Sequence, residues 1–204
     1  MKKNQKLSLS AIAAFVLTIC FTSCQKDNQI LPVEPAITES APAAPAIDQH
    51  CLPPIPAIIQ VPAGYKITWH AFATGFQIYK CLQSPTDPNV YTWTFQAPLA
   101  NLYSDHLYTN QTGTHYAGPT WANLTGATVL GVKLQAATVD PTAIPWLLLQ
   151  KVSTTGHGIL TKTVYIQRLK TVGGLAPTTD NDAAHLNMEV QIPYTALYLF
   201  YSPI

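Results

Sequence analysis

Residues 90–95 read VYTWTF, in which threonine alternates with large side chains. A period of two places successive side chains on opposite faces of an extended strand, and it is incompatible with the 3.6-residue stripe of a buried helix. Similar runs occur as YKITWHAF, FQIYKCL, ATVLGVKLQAATV, TVYIQRLKTV and YTALYLFY. Between them lie SPTDPN at 84–89, TTGHG at 154–158 and VGGLAP at 172–177, where Pro, Gly and Asn favour chain reversal. The pattern predicts an all-β domain over 57–204: a single β-sandwich or flattened barrel of about 8–11 mostly antiparallel strands. Only APLANLYSD, at 97–105, reads as a short helix. One core is expected, because a chain of 204 residues suits one ordinary domain with appendages.

The N-terminus is of a different kind. MKKNQK is a short basic segment, LSLSAIAAFVLTICF an apolar run, and TSC a pair of small residues before a cysteine. This is the layout of an export signal, and at about 15 residues the apolar run falls short of the roughly 20 that a spanning helix needs. Within it, FTSC at 21–24 resembles the bacterial lipobox, which implies a signal peptide over 1–23, lipidation of Cys24 and attachment to a membrane through that lipid. The implied location is the cell envelope, as an outer-membrane lipoprotein that is either periplasmic or surface-exposed. Cleavage without lipidation near Ser23 is the competing reading. Residues 24–56 are rich in Pro and Ala, have no steady period and read as a tether. Loss of Lys2, Lys3 and Lys6 with the signal turns the formal charge from +1 to −2. Only 10% of residues are charged, against about 25% in an average soluble protein, and no basic stripe is present for phosphate contacts. Nucleic acid is therefore not expected as a partner.

Five blocks occur in order: GFQIYKC (75–81), THYAGPTW (114–121), IPWLLLQ (144–150), IQRLKTVGGLAP (166–177) and IPYTALYLFY (192–201). Together they resemble the domain-of-unknown-function family DUF3455 of exported bacterial and fungal proteins. The resemblance implies a compact exported β domain and no particular reaction. A dehydrogenase reading fails on the residues, because TGHGIL has Gly156 and Gly158 but no third glycine and no βαβ setting.

Of four cysteines, Cys20 lies in the signal and Cys24 is the lipid site, leaving Cys51 and Cys81 as an even pair in an oxidising compartment. A Cys51–Cys81 disulfide is expected, with a free Cys81 buried in a strand as the alternative. Some members of the family carry a further cysteine after the GGxAP block; here that stretch, TTDNDAAHLN, has none.

Catalytic signatures are sparse. There is no G-x-S-x-G, no S-x-x-K and no spare cysteine. The six histidines form no H-x-H or H-x-x-x-H pair, so no metal is assigned and no cofactor expected, although Asp105, His106 and His115 lie near enough in sequence to meet across a turn. The acids Asp87, Asp105, Asp140, Asp180, Asp182 and Glu189 read as turn and cap residues rather than a catalytic pair.

The candidate ligand-binding residues are His115, Tyr116, Trp121, Trp146, Gln77 and Arg168, the chain's only arginine. Trp69, Trp93, Trp121 and Trp146 offer rings for stacking on a glycan or a small apolar ligand, but core packing is the stronger reading for each. Three functions remain: a non-catalytic, lipid-anchored ligand-binding or envelope module; an enzyme, hydrolase or oxidoreductase, with His115 as general base or metal ligand; and a purely structural surface protein. The enzyme reading requires a carboxylate or second histidine within reach of His115.

Overall fold

The computed structural model describes residues 52–204. Cys24, Cys51, the leader and most of the tether lie outside the described residues. Eight strands follow one another: β1 (Tyr65–Gln83), β2 (Tyr91–Tyr103), β3 (Gln111–Tyr116), β4 (Thr120–Asn123), β5 (Thr128–Ala137), β6 (Trp146–Thr155), β7 (Tyr165–Gly173) and β8 (Glu189–Pro203). Each pairs antiparallel with its sequence neighbour, and β8 returns to pair with β1. The result is a closed up-and-down barrel. Closure pairs every strand on both sides, which removes the open edges a sandwich would leave. At this strand number the interior is just wide enough to be filled by side chains or to hold one small ligand.

Two segments differ from the sequence expectation. YKITWHAF and FQIYKCL are one strand of 19 residues, β1. Gly75 between them is not a turn: β2 approaches so closely that a methyl group there would run into the Leu99 carbonyl oxygen. APLANLYSD is not helical. Residues 97–103 of it continue β2, with Ala97 opposite Ile78 and Leu99 opposite Phe76, so cross-strand pairing overrides a local helical preference. Register shifts at Ile67/Trp69, Ile78/Tyr79, Leu130/Gly131 and Leu169/Val172 add local curvature to the strands.

Alternation divides β8 between two apolar environments. Tyr194, Ala196, Tyr198 and Phe200 belong to the cluster inside the barrel, with Trp69, Ala71, Trp121, Val129 and Ile166. Leu197, Leu199 and Tyr201 belong to a second cluster on the outer wall. That wall is covered by the segment entering β1: Ile59 is fully buried, and Leu52, Ile55 and Val61 pack beside it. Gln167 fastens the cover. Its Nε2 donates to the Ile59 carbonyl at 2.7 Å, and its Oε1 accepts from the Tyr201 hydroxyl at 2.6 Å. The last residues assigned to the tether thus dock on the barrel.

Inside, the end where β6 passes into β7 is filled. Trp69 packs on Phe200 with ring centroids 4.6 Å apart, and Leu160, from the single-turn 3₁₀ helix Ile159–Lys162, is fully buried against them.

Candidate functional site

The opposite end of the barrel is open. A cavity of about 420 Å³ lies inside it, between strand residues and the connections that carry Gly118, Pro119, Ile144 and Pro145. Its volume is at the low end of the roughly 300–1,000 Å³ common for small-molecule sites. The walls are mostly apolar or aromatic: Phe95, Pro98, Trp121, Leu147 and Leu149. The polar groups are Gln77, Tyr79, His115, Arg168, Tyr198 and, from β5, Lys133.

THYAGPTW builds one wall. β3 and β4 form a hairpin in which Tyr116 faces Thr120 and His115 faces Trp121, with Ala117–Pro119 as the turn. Gly118 takes φ +125°, a region that suits glycine, and a Cβ there would meet Thr120 Oγ1 and Leu130 Cδ1. His115 and Tyr116 point to opposite faces. His115 is inside, 2% exposed, whereas Tyr116 is outside and 39% exposed. The imidazole stacks on Trp121 at 4.4 Å and 8°, and meets Tyr198 edge-on at 5.0 Å. Its Nδ1–H donates to the Thr120 carbonyl at 2.8 Å, leaving Nε2 as an acceptor. Burial pushes the imidazole down to about 3, against the pull of the Thr120 bond and aided by the charge of Arg168.

Arg168 comes from β7, directly across from Tyr198 on β8 and Leu147 on β6. Its Nε and Nη2 both donate to the Pro145 carbonyl, at 3.1 and 2.8 Å. Among the described residues it has no carboxylate within ion-pair distance, the one such pair being His185 with Asp182 on the surface. No acid lines the cavity. Around Arg168, Gln77 Nε2 and the hydroxyls of Tyr194 and Tyr198 are buried without a hydrogen-bond partner, as is Trp121 Nε1. Burial raises both tyrosine hydroxyls, and the nearby guanidinium partly opposes the shift.

Of the residues selected from sequence, the cavity brings together Gln77, His115, Trp121 and Arg168. It does not include Tyr116, which faces outward, or Trp146, which lies under the Leu52–Val61 cover on the outer wall. Tyr79, Tyr198, Leu147 and Lys133 were not selected from sequence, yet they line it. For Tyr198 a signal existed: YTALYLFY is apolar at nearly every position, as a strand covered on both faces must be.

Among the described residues His115 has neither a carboxylate nor a second histidine as a hydrogen-bond partner. Its ring nitrogen is bonded to a backbone carbonyl rather than a carboxylate, and so low a basicity makes a weak general base. Among the described residues no group of three His, Cys, Asp or Glu side chains converges on a metal site. Asp105 is in the β2–β3 turn, where its carboxylate accepts from the backbone N–H groups of Leu107, Thr109 and Asn110. Asp87, Asp140 and Asp182 likewise accept backbone N–H groups of their own turns.

Cys81 is a fully buried free thiol beside Tyr79 and Trp93. Cys51, its expected disulfide partner, lies outside the described residues. A second concavity, about 740 Å³, runs between β1, β2, β7 and β8 and is lined by residues such as Phe76, Leu99 and Val172 with no charged side chain. No helix among the described residues is long and apolar enough to cross a membrane.

A family model described as a protein of unknown function, DUF3455, matches residues 62–202, from just before β1 to within β8. The chain belongs to the DUF3455 family. The match takes in every strand that contributes to the cavity of this DUF3455 barrel. Neither the curated proteins nor the solved structures provide a match.

Proposed function

We propose that this DUF3455 protein is a non-catalytic binding module that takes a small, largely apolar ligand into the open end of its barrel. The observation that carries the reading is the cavity itself. An eight-stranded barrel can fill its interior completely. This one fills one end with Trp69, Phe200 and Leu160 and leaves about 420 Å³ between aromatic and apolar walls at the other. Tyr79, His115 and Arg168 are held there by bonds to backbone carbonyls, as suits orientation of a ligand.

The test is a thermal-shift screen of the full chain against small apolar and aromatic compounds, repeated with Leu147→Trp, which fills the cavity. Compounds that raise the midpoint of the wild type but not of the filled variant, and that are recovered chemically unchanged, support the reading. Conversion of a compound that stops in His115→Gln would overturn it in favour of an enzyme.

The same reading places the module in the cell envelope, anchored through lipid on Cys24. It rests on the basic-apolar leader and the FTSC sequence, and several acyl chains acting together give stable attachment at about 0.8 kcal/mol per buried CH₂. Metabolic labelling with a fatty acid checks it. Label is expected in the wild type and lost in Cys24→Ala; equal label in both rejects the anchor.

A further inference from the structure

The cavity wall carries buried hydrogen-bonding groups without partners, on Gln77 and Tyr198, together with a cation, Arg168. Arg168 and Tyr198 are cross-strand partners on β7 and β8. Tyr194 is one pleat pair earlier on β8, facing Gly75 on β1, and Gln77 is the next inward residue of β1. Gln77, Arg168 and Tyr198 line the cavity together, whereas Tyr194 lines the second concavity. Gln77 Nε2 and both tyrosine hydroxyls are unpartnered and buried, in residues of 2% exposure or less. Arg168 spends two N–H groups on Pro145, and a guanidinium has five.

An unmet buried donor costs about 1–3 kcal/mol, and an uncompensated charge costs more. Water would relieve the donors, but it brings as many donors as acceptors and no charge. What the cluster lacks is an anion with several acceptor lone pairs. A carboxylate meets the requirement with a single charge to match a single guanidinium, and its planar pair of oxygens suits the arginine fork. The Pro145 carbonyl already fixes that fork, so little side-chain freedom remains to be lost on binding. The second cation of the lining, Lys133, lies on an exposed stretch of β5, and the wall formed by Leu147, Leu149, Pro98 and Trp121 is apolar.

We infer that the lumen receives a small monocarboxylate, its carboxylate held by Arg168 with Tyr198 and Gln77 donating, and its compact apolar or aromatic body lying against Leu147 and Trp121. The inference rests on the lumen-binding reading above and specifies the chemistry of its ligand.

Isothermal titration of the full chain with matched pairs tests it: 2-naphthoate against 2-naphthamide, and octanoate against octanamide. Each pair shares a body and differs in the charged head. The carboxylate of at least one pair is expected to bind at least about 10-fold more tightly than its amide, the scale of hydrogen bonds to a charged group. Arg168→Met should abolish that preference while leaving amide binding in place. Tyr198→Phe, which keeps the ring and does not touch Pro145, should weaken the carboxylate several-fold and spare the amide, so the assignment stays testable if Arg168→Met fails to fold. Equal binding of carboxylate and amide overturns the monocarboxylate assignment and leaves lumen binding standing. Displacement of 2-naphthoate by an equal concentration of inorganic phosphate overturns it in favour of a general anion site. If no member of either pair binds, both the assignment and the lumen reading fall.

Discussion

At the end of the barrel where β6 passes into β7, Trp69, Phe200 and Leu160 fill the interior, and the one orphaned polar group in that connection is the buried Thr163 hydroxyl. At the other end the same strands hold open about 420 Å³ around His115, Arg168 and Tyr198, with donors unmet. The sheet is continuous between them. What differs is the inward side chains, and the comparison shows how one barrel can reserve one end for stability and give up packing at the other for a site. Unpaired buried polar groups cost stability, and they persist where a bound partner can complete them.

The largest test of this contrast is at the filled end. Phe200→Ala removes a fully buried ring that touches both Trp69 and Trp121, and should destabilise by about 3–5 kcal/mol in denaturant unfolding. A loss below about 1 kcal/mol would show that this end is not the stabilising one.

Acid tests the open end. His115 is neutral in the folded barrel, held down to about 3 chiefly by burial, while in the unfolded chain it takes a proton as pH falls through about 6.5. Its contribution is therefore complete above pH 6.5 and lost progressively as pH falls toward 3, by up to about 1.4 kcal/mol per unit. His70, lowered mainly by burial against the pull of its bond to the Ser104 carbonyl, acts in the same direction. Stability measured by denaturant at several pH values should show this slope, and His115→Gln should flatten it. An unchanged slope would place the titrating group elsewhere.

Smaller effects sharpen the contrast. Tyr198→Phe deletes an unmet hydroxyl and is expected to leave stability unchanged or raise it by up to about 1 kcal/mol, the opposite sign to Phe200→Ala two residues away. A loss beyond about 1 kcal/mol would mean that the hydroxyl is satisfied in the free protein. Smallest of all, Tyr116→Ala on the outer face should stay within about 0.5 kcal/mol of wild type. A larger loss would show that the outward side of the hairpin carries packing too.

Much of the architecture is legible in the chain because it is local. Period two in VYTWTF and YTALYLFY, and the Pro and Gly clusters at 84–89 and 172–177, fix strands and reversals through neighbouring residues alone. THYAGPTW is likewise readable as a hairpin, since Gly118-Pro119 restricts the backbone at the turn itself. The alternation of His115 and Tyr116 is also local.

Which of the two faces inward is not. A period of two gives alternation without its phase, and the phase is set by closure of β8 onto β1 and by the pairing of His115 with Trp121 and Ala100. The same limit explains Trp146, whose strand is apolar on both faces: it lies outside because Leu52–Val61 covers that wall. Gly75 shows it again, being a site of close strand approach and not a break. The convergence of Arg168, Tyr198 and Gln77 on one cavity joins residues more than 110 positions apart in sequence, and no local rule encodes such a meeting. The sequence alone determined most of the strands and turns, because these follow from neighbouring residues. Only the tertiary structure decided which side chains share a lumen, because barrel closure is a property of all eight strands together.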